Sequence, residues 1–442
     1  MLWIMNRDTI DIGKGQVINL TKKRICCLLC CLLLCASMVS ASAESGKVVM
    51  WTWAIGNFAK INETFFATHD VEWELEEVVV DANDYLTKIQ QGYASGGDMP
   101  DILLSEIGWR ASAFNLGVWE NLEQPPYNLD RTLIYDYAIG TTVDKNGHIV
   151  GLENGVNPTT ISYKRELAKE YLGTDDPREL EAMFPTFESY AEYGKQVYEK
   201  SNGTVTLFSG LQDISTMMMS QSRHICNLDE NGEILITDKV KPIFSTIEML
   251  REAHACGNIT QWSSQWSASF GMSNNIFFPT PPWMIPYQIE GNDPGGEGKW
   301  GMFTPAGGSY GWGGTCFGIN KESQMKQEAW DFISWWLYTQ EGADYFKEFN
   351  GLFLPIKSLF EKPEYTRGTH PYYGDQEIYA FMMAELAPTI PAAQLSVYDN
   401  LINDSLNMVV QVMTADEEVM ADRAYEMFMD DLRAKIPEVT VK

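Results

Sequence analysis

The residues in this chain best equipped for recognition chemistry are its aromatics, 14 Trp, 20 Tyr and 20 Phe, set among 60 acidic residues. An indole or phenol ring packs its face against apolar C–H groups, while a neighbouring carboxylate or amide bonds hydroxyls. Together they suit a polyhydroxylated solute held in a concave site. Several such residues fall in segments that follow apolar, β-rich runs, where open α/β sheets place their ligands. Trp53, Glu106, Trp109, Asn157, Trp283, Tyr310, Trp312 and Tyr398 are the candidate ligand-binding residues. Trp330, Trp335 and Trp336 lie inside a helical pattern and are assigned to packing.

The elements that must carry these side chains follow from periodicity. The stretch 312–358 opens on Gly313-Gly314 and an apolar run from Thr315 to Ile319, which reads as a strand. Ser323 is a plausible N-cap. Ala329, Phe332, Ile333, Trp336 and Leu337 then follow the i, i+3, i+4, i+7, i+8 spacing of one buried helical face. Thr339 caps a second helix that stops near Gly351, and Leu354-Pro355-Ile356 leaves in extended form. Towards the N-terminus, 47–53 and 72–80 read as strands, 57–66 and 84–94 as helices, and 95–105 as a tight turn followed by a third strand. Strand alternating with helix is the pattern of an α/β unit with a largely parallel sheet. Residues 277–286 read as strand, loop, strand, with prolines stiffening an edge. The glycine-rich run at 291–298 reads as a turn or linker, 379–387 and 401–412 as amphipathic helices, and 415–434 as a long terminal helix.

These landmarks resemble a known family. The string Gly97-Asp-Met-Pro-Asp-Ile102 and the segment from Gly313 through Asn320-Lys321, Ala329-Trp330, Glu341-Gly342 and Pro355-Ile-Lys-Ser358 are similar to the extracellular solute-binding proteins of bacterial ABC importers. That family includes maltose- and oligosaccharide-binding proteins. Ile161 to Leu167 resembles the family's strand between lobes, with Lys164 where asparagine is usual, and Thr186-Phe187-Glu188 resembles a capped helix start. The resemblance implies an α/β, two-lobe periplasmic-binding-protein-like fold with a ligand cleft between lobes. Residues 44–157 plus 299–350 would form the N-terminal lobe, and 158–298 plus 351–442 the C-terminal lobe. Trp53, Glu106 with Trp109, and Trp283 sit at positions that line the cleft in relatives. The implied function is extracytoplasmic binding of a carbohydrate by a monomer and delivery to membrane permease subunits. Neither metal nor cofactor is expected. A binding protein for a cationic solute such as a polyamine, and a secreted carbohydrate-active enzyme with two facing carboxylates, are the rival readings.

Composition narrows the field. The formal net charge of −28 opposes binding to nucleic acid, whose phosphates select basic surface. The sequence has no HExxH and no GxxxxGK[ST] string. Five of the eight cysteines precede residue 36, leaving Cys226, Cys256 and Cys316, a poor disulfide framework. His224-Ile-Cys226 and His254-Ala-Cys256 match no zinc spacing and are assigned to buried, satisfied side chains. Lys22-Lys23-Arg24, the apolar run 25–39 and Ala41-Ser42-Ala43 describe a secretory signal peptide cut after Ala43. Lipidation at Cys35 is the alternative, although leucines replace the small residue usual before such a cysteine. Residues 1–20 fit neither scheme, and translation beginning at Val17 or Leu20 would explain them.

Overall fold

A computed structural model describes residues 9–11, 17–19, 46–53, 59–222, 233–390, 395–438 and 440–442. The apolar leader, Cys35, the Ala43 cleavage site, His224 and Cys226 lie outside the described residues. Thr9–Asp11 and Val17–Asn19 pair antiparallel as a short ladder of their own.

Eight further strands form the two main sheets: β1 (Gly46–Thr52), β2 (Trp73–Val79), β3 (Ile102–Glu106), β4 (Leu152–Glu153), β5 (Thr160–Lys164), β6 (Phe277–Thr280), β7 (Trp300–Phe303) and β8 (Thr315–Ile319). One sheet has the order β2-β1-β3-β8-β4, the other β7-β5-β6. In the first, β1 runs parallel to β3 and β8 runs antiparallel between β3 and β4. The second is antiparallel throughout. The helices used below are α1 (Ala82–Ser95), α2 (Arg110–Asn115), α3 (Leu211–Gln221), α4 (Thr237–Glu252), α5 (Ser264–Ser269), α6 (Lys326–Tyr338), α7 (Gln340–Asn350), α8 (Asp399–Ala415) and α9 (Ala421–Lys435).

Helix α6 buries the face its spacing dictates: Ala329, Phe332, Ile333, Trp336 and Leu337 are all buried. Trp330 and Trp335 are buried too, as expected of packing residues. Thr339 ends α6 and caps α7, accepting the Gly342 N–H at 3.1 Å. Thr339→Ala is expected to lower stability by about 1 kcal/mol, measured by urea melts. Ser323 does not cap the first turn of α6, which begins only at Lys326. Its hydroxyl donates to Asp101 Oδ1 at 2.6 Å, tethering this loop to the one before β3, and accepts the N–H of Met325, the residue just before the helix, at 2.9 Å.

The second sheet packs on Tyr163, Leu180, Phe184, Tyr190, Ile214 and Phe303. A separate apolar cluster joins α4, α8 and α9 through Ile243, Phe244, Val409, Val410, Phe428 and Leu432. Three segments connect the sheets, and they contact one another. Pro158 bridges Gly311 antiparallel, Thr159 N–H donates to Tyr310 O at 2.8 Å, and Val156 N–H donates to Phe353 O at 2.7 Å.

Two connections lie elsewhere than the resemblance implies. Trp300–Phe303, which the 299–350 boundary assigns to the N-terminal lobe, pairs with β5 in the second sheet, so the connection runs through 304–314. Apolar content marks a buried strand without saying which sheet receives it. Likewise the chain does not leave at 351: Ile356 bridges Ile134, and Phe360 packs on Tyr135 at 4.7 Å. It reaches the second sheet only near Tyr373, whose hydroxyl lies 2.8 Å from Ser162 Oγ. The arm expected as a strand after Trp283 is a helical turn from Ile285 to Glu290, because Pro286 sits in its first turn, where its missing N–H costs nothing.

A fragment spanning 44–157 would hold β1 to β4 but lack β8, the neighbour of both β3 and β4. It is expected to show no cooperative thermal transition by circular dichroism.

Candidate functional site

The segment 311–315 brings the candidates together. Thr315 begins β8 and pairs with Glu106, while Trp312, three residues earlier, belongs to the second lobe's aromatic group. The glycine pair between them is required by geometry. Gly313 has φ +72°, and a Cβ there would lie 2.8 Å from Trp283 Nε1. Gly314 has φ +126°, and its Cβ would press at 3.1 Å on both Asn157 Nδ2 and Glu153 Oε2.

On the first-sheet side, Trp53, Tyr85 and Trp109 form a ring cluster. Tyr85 stacks on Trp109 at 5.5 Å, and Trp53 meets Tyr85 and Trp109 edge-on at 5.2 and 6.1 Å. Tyr85 projects from α1, donates to Trp51 O at 3.0 Å and accepts the Leu104 N–H at 3.0 Å. Two strands, β1 and β3, therefore fix its ring. Glu106 ends β3 beside this cluster and accepts the Gly108 N–H at 2.6 Å. Burial raises its carboxyl above the usual range, against the pull of the Gly108 N–H and the Arg110 charge.

Arg110 supports the floor of this side. It is fully buried at the start of α2, pairs with Glu153, and donates to Thr141 O at 3.1 Å, Ser105 O at 3.2 Å and Gly314 O at 2.8 Å. Thr141 Oγ1 also donates to Glu153 Oε1 at 2.8 Å. One guanidinium thus joins the end of β3, the chain leading to β4 and the glycine pair.

On the other side Trp283, Trp312 and Trp262 form a second cluster. Trp283 donates its indole N–H to Trp312 O at 2.9 Å, and the two rings meet edge-on at 5.9 Å. Trp262 stacks on Trp283 at 6.0 Å with planes 16° apart and meets Trp312 edge-on at 5.9 Å. Trp262 is 54% exposed, with φ +67°, a conformation bulky residues rarely adopt. Nothing in the hydrophobic pattern singles it out; a turn-rich Gln-Trp-Ser-Ser string is its sole signal.

The remaining candidates divide. Asn157 is 4% exposed at the crossing, donates to Gly155 O and Gly313 O at 3.4 Å, and leaves its side-chain oxygen without a partner. Tyr310 does not line a surface: it is fully buried in the second-lobe core, because its position beside the crossing turns the ring inward against Tyr190 and Phe208. Burial raises its hydroxyl well above the ordinary tyrosine range. Tyr398 packs on the α4–α8–α9 cluster, and neighbouring Val397 O accepts from Ser112 Oγ of α2 at 3.4 Å.

His254 is also placed otherwise than expected. It lies exposed just after α4 at φ +51°, its ring stacked on Tyr198 at 4.3 Å, because α4 ends before it. Among the described residues no group of three or more His, Cys, Asp or Glu is arranged to hold a metal. Two glycine strings spell enzyme signatures but stand in the wrong elements. Gly307-Gly-Ser309-Tyr-Gly311 lies on the crossing segment, with Ser309 buried and donating to Thr159 O at 2.9 Å, not on a strand-to-helix elbow. Gly296-Glu-Gly298-Lys-Trp-Gly301 leads into a strand instead of opening a helix.

Two sheets joined by three crossing segments, with an aromatic group on each side of the crossing, define a two-lobe binding protein. Residues 59–371 match the family described as bacterial extracellular solute-binding proteins, and the chain belongs to it. No curated protein sequence matches significantly. Among solved structures, an extracellular solute-binding protein of family 1 superimposes with TM-score 0.74 at 18% identity, covering 88% of this chain and 99% of its own. The galacto-N-biose-/lacto-N-biose I-binding protein of a Bifidobacterium longum ABC transporter, in complex with lacto-N-biose, gives 0.72 at 15% identity, covering 90% and 100%. The sugar-binding protein MalE from Xanthomonas citri gives 0.68 at 16% identity, covering 89% and 98%. The family places the protein outside the cytoplasm, and no described helix is long and apolar enough to cross a membrane.

Proposed function

We propose that this protein captures a carbohydrate, an oligosaccharide in particular, and presents it to the permease of an ABC importer. The observation that carries the reading is the pair of aromatic groups, Trp53–Tyr85–Trp109 and Trp262–Trp283–Trp312, tied together by the segment 311–315, on which Thr315 pairs with Glu106 and Gly313 O accepts from Asn157. Rings of this kind stack on sugar faces, while the carboxyl and amide bond hydroxyls. The neighbours named for sugar binding share the fold and support the same reading. Ligand held between the groups favours the closed arrangement of the lobes by its differential affinity. The protein acts as a monomeric carrier and leaves its ligand chemically unchanged. Export follows cleavage after Ala43, with a lipid anchor at Cys35 as the alternative.

The test is a thermal-shift panel of maltose, maltotriose, galactobiose and lacto-N-biose against putrescine and spermidine. A sugar at about 100 times its Kd is expected to add roughly 2.7 kcal/mol of stability and to be recovered intact afterwards. Shortened products would indicate an enzyme. Stabilisation by amines alone would replace the sugar reading with a cationic one, which the Glu106 carboxyl beside two indoles favours.

A further inference from the structure

Trp262 holds a backbone conformation that bulky side chains avoid, and such residues persist only where their surroundings over-determine them. The flanking residues show what does so. Gln261 donates its backbone N–H to Gln212 Oε1 at 2.8 Å and its side-chain amide to Asp213 Oδ1 at 3.1 Å. Its amide oxygen accepts from Thr216 Oγ1 at 3.2 Å. On the far side, Ser263 caps α5 by accepting the Trp266 N–H at 3.1 Å, and the Trp266 indole N–H reaches the same Asp213 Oδ1 at 3.2 Å. Trp262 rests on that indole, with ring centroids 4.9 Å apart.

Asp213 itself sits on α3, buried, with its other oxygen held by Ser209 Oγ at 2.5 Å and Gly210 N–H at 3.3 Å. An ionised carboxylate accepts at both oxygens and donates at neither, which matches four convergent donors. Asparagine has nearly the same shape but must turn N–H groups towards one pair of them.

We infer that Asp213 is a positioning residue for ligand capture: it clamps the chain on both sides of Trp262 and so fixes that indole against Trp283 and Trp312. The inference rests on the reading of the aromatic group as a ligand surface. Its structural content, the fixing of the ring, is separable from that reading and needs no ligand to observe.

The experiment uses the full chain labelled with 5-fluorotryptophan and followed by fluorine NMR without ligand. Trp262→Phe assigns the Trp262 resonance by its loss. In the parent protein Trp283→Phe is expected to shift that resonance, because it replaces the stacked indole by a smaller phenyl ring with a different ring current. In Asp213→Asn the Trp262 resonance moves to the position of a solvent-exposed fluorotryptophan, and Trp283→Phe no longer shifts it, while far-ultraviolet circular dichroism and a cooperative melt report an intact fold. Should Asp213→Asn not fold, Gln261→Met carries the same test, since it breaks the clamp on one side and leaves the carboxylate its other three donors. A Trp262 resonance that keeps its parent position and its response to Trp283→Phe in either folded variant overturns the inference. That outcome has the same meaning whichever solute the protein carries, so it is distinguishable from failure of the carbohydrate reading in the thermal-shift panel.

Discussion

Arg110→Met is expected to cost about 3–5 kcal/mol of folding stability, the range for breaking a buried ion pair by removing one partner. Glu153, itself buried, would keep its Thr141 hydroxyl donor but lose its counter-charge. Three carbonyls, of Ser105, Thr141 and Gly314, would lose a donor together. The double variant Arg110→Met/Glu153→Met is expected to recover much of the loss, because an apolar pair of similar volume often replaces a buried ion pair at little cost. Urea melts of both variants decide it; a double variant as unstable as the single one would assign the cost to the orphaned carbonyls instead of the charge. Because Gly314 O is among those acceptors, weaker ligand binding is expected in any Arg110→Met protein that remains folded.

The second large effect separates packing from recognition among tryptophans. Trp336→Ala is expected to cost about 3–5 kcal/mol of stability, since its fully buried ring stacks on Phe346 at 5.2 Å and meets Phe317 at 4.7 Å. Any folded fraction should bind as the parent does. Trp283→Ala should behave oppositely, weakening binding by about 1–3 kcal/mol, the value of burying a large apolar side chain, with a small change in melting midpoint. Trp283 has partners in Trp262 and the Trp312 carbonyl, but it is only half-buried. Calorimetric titration with the sugar selected by the thermal-shift panel, alongside denaturant melts, measures both quantities. Unchanged affinity in folded Trp283→Ala removes that residue from the site.

Period and capping make most of the elements readable. The buried face of α6, the Thr339 cap and β8 all follow local rules that depend on a few neighbouring residues. Sheet membership is not readable in this way, because Trp300–Phe303 is equally apolar whichever lobe it joins. Among the candidates, Trp53, Glu106, Trp109, Trp283 and Trp312 gather around the crossing because each sits in or beside a segment ending a strand or joining the lobes. Tyr310 sits in such a segment too, yet its ring turns inward, and one residue of register decides which way a side chain faces. Trp262 is illegible for a further reason. Its orientation depends on a left-handed backbone whose neighbour Gln261 is held by Asp213, 48 residues away along the chain, and no local pattern encodes that.

The placement of β8 also governs when the protein can fold. β3 ends at Glu106, yet the strand beside it begins at Thr315; β5 starts at Thr160, yet its partner β7 begins at Trp300. A ribosome must therefore synthesise residue 300 before the second sheet gains β7, and residue 315 before β4 gains its neighbour. Loops of this length close late and slow the approach to the native state. A chain leaving the ribosome therefore remains for most of its synthesis without either completed sheet.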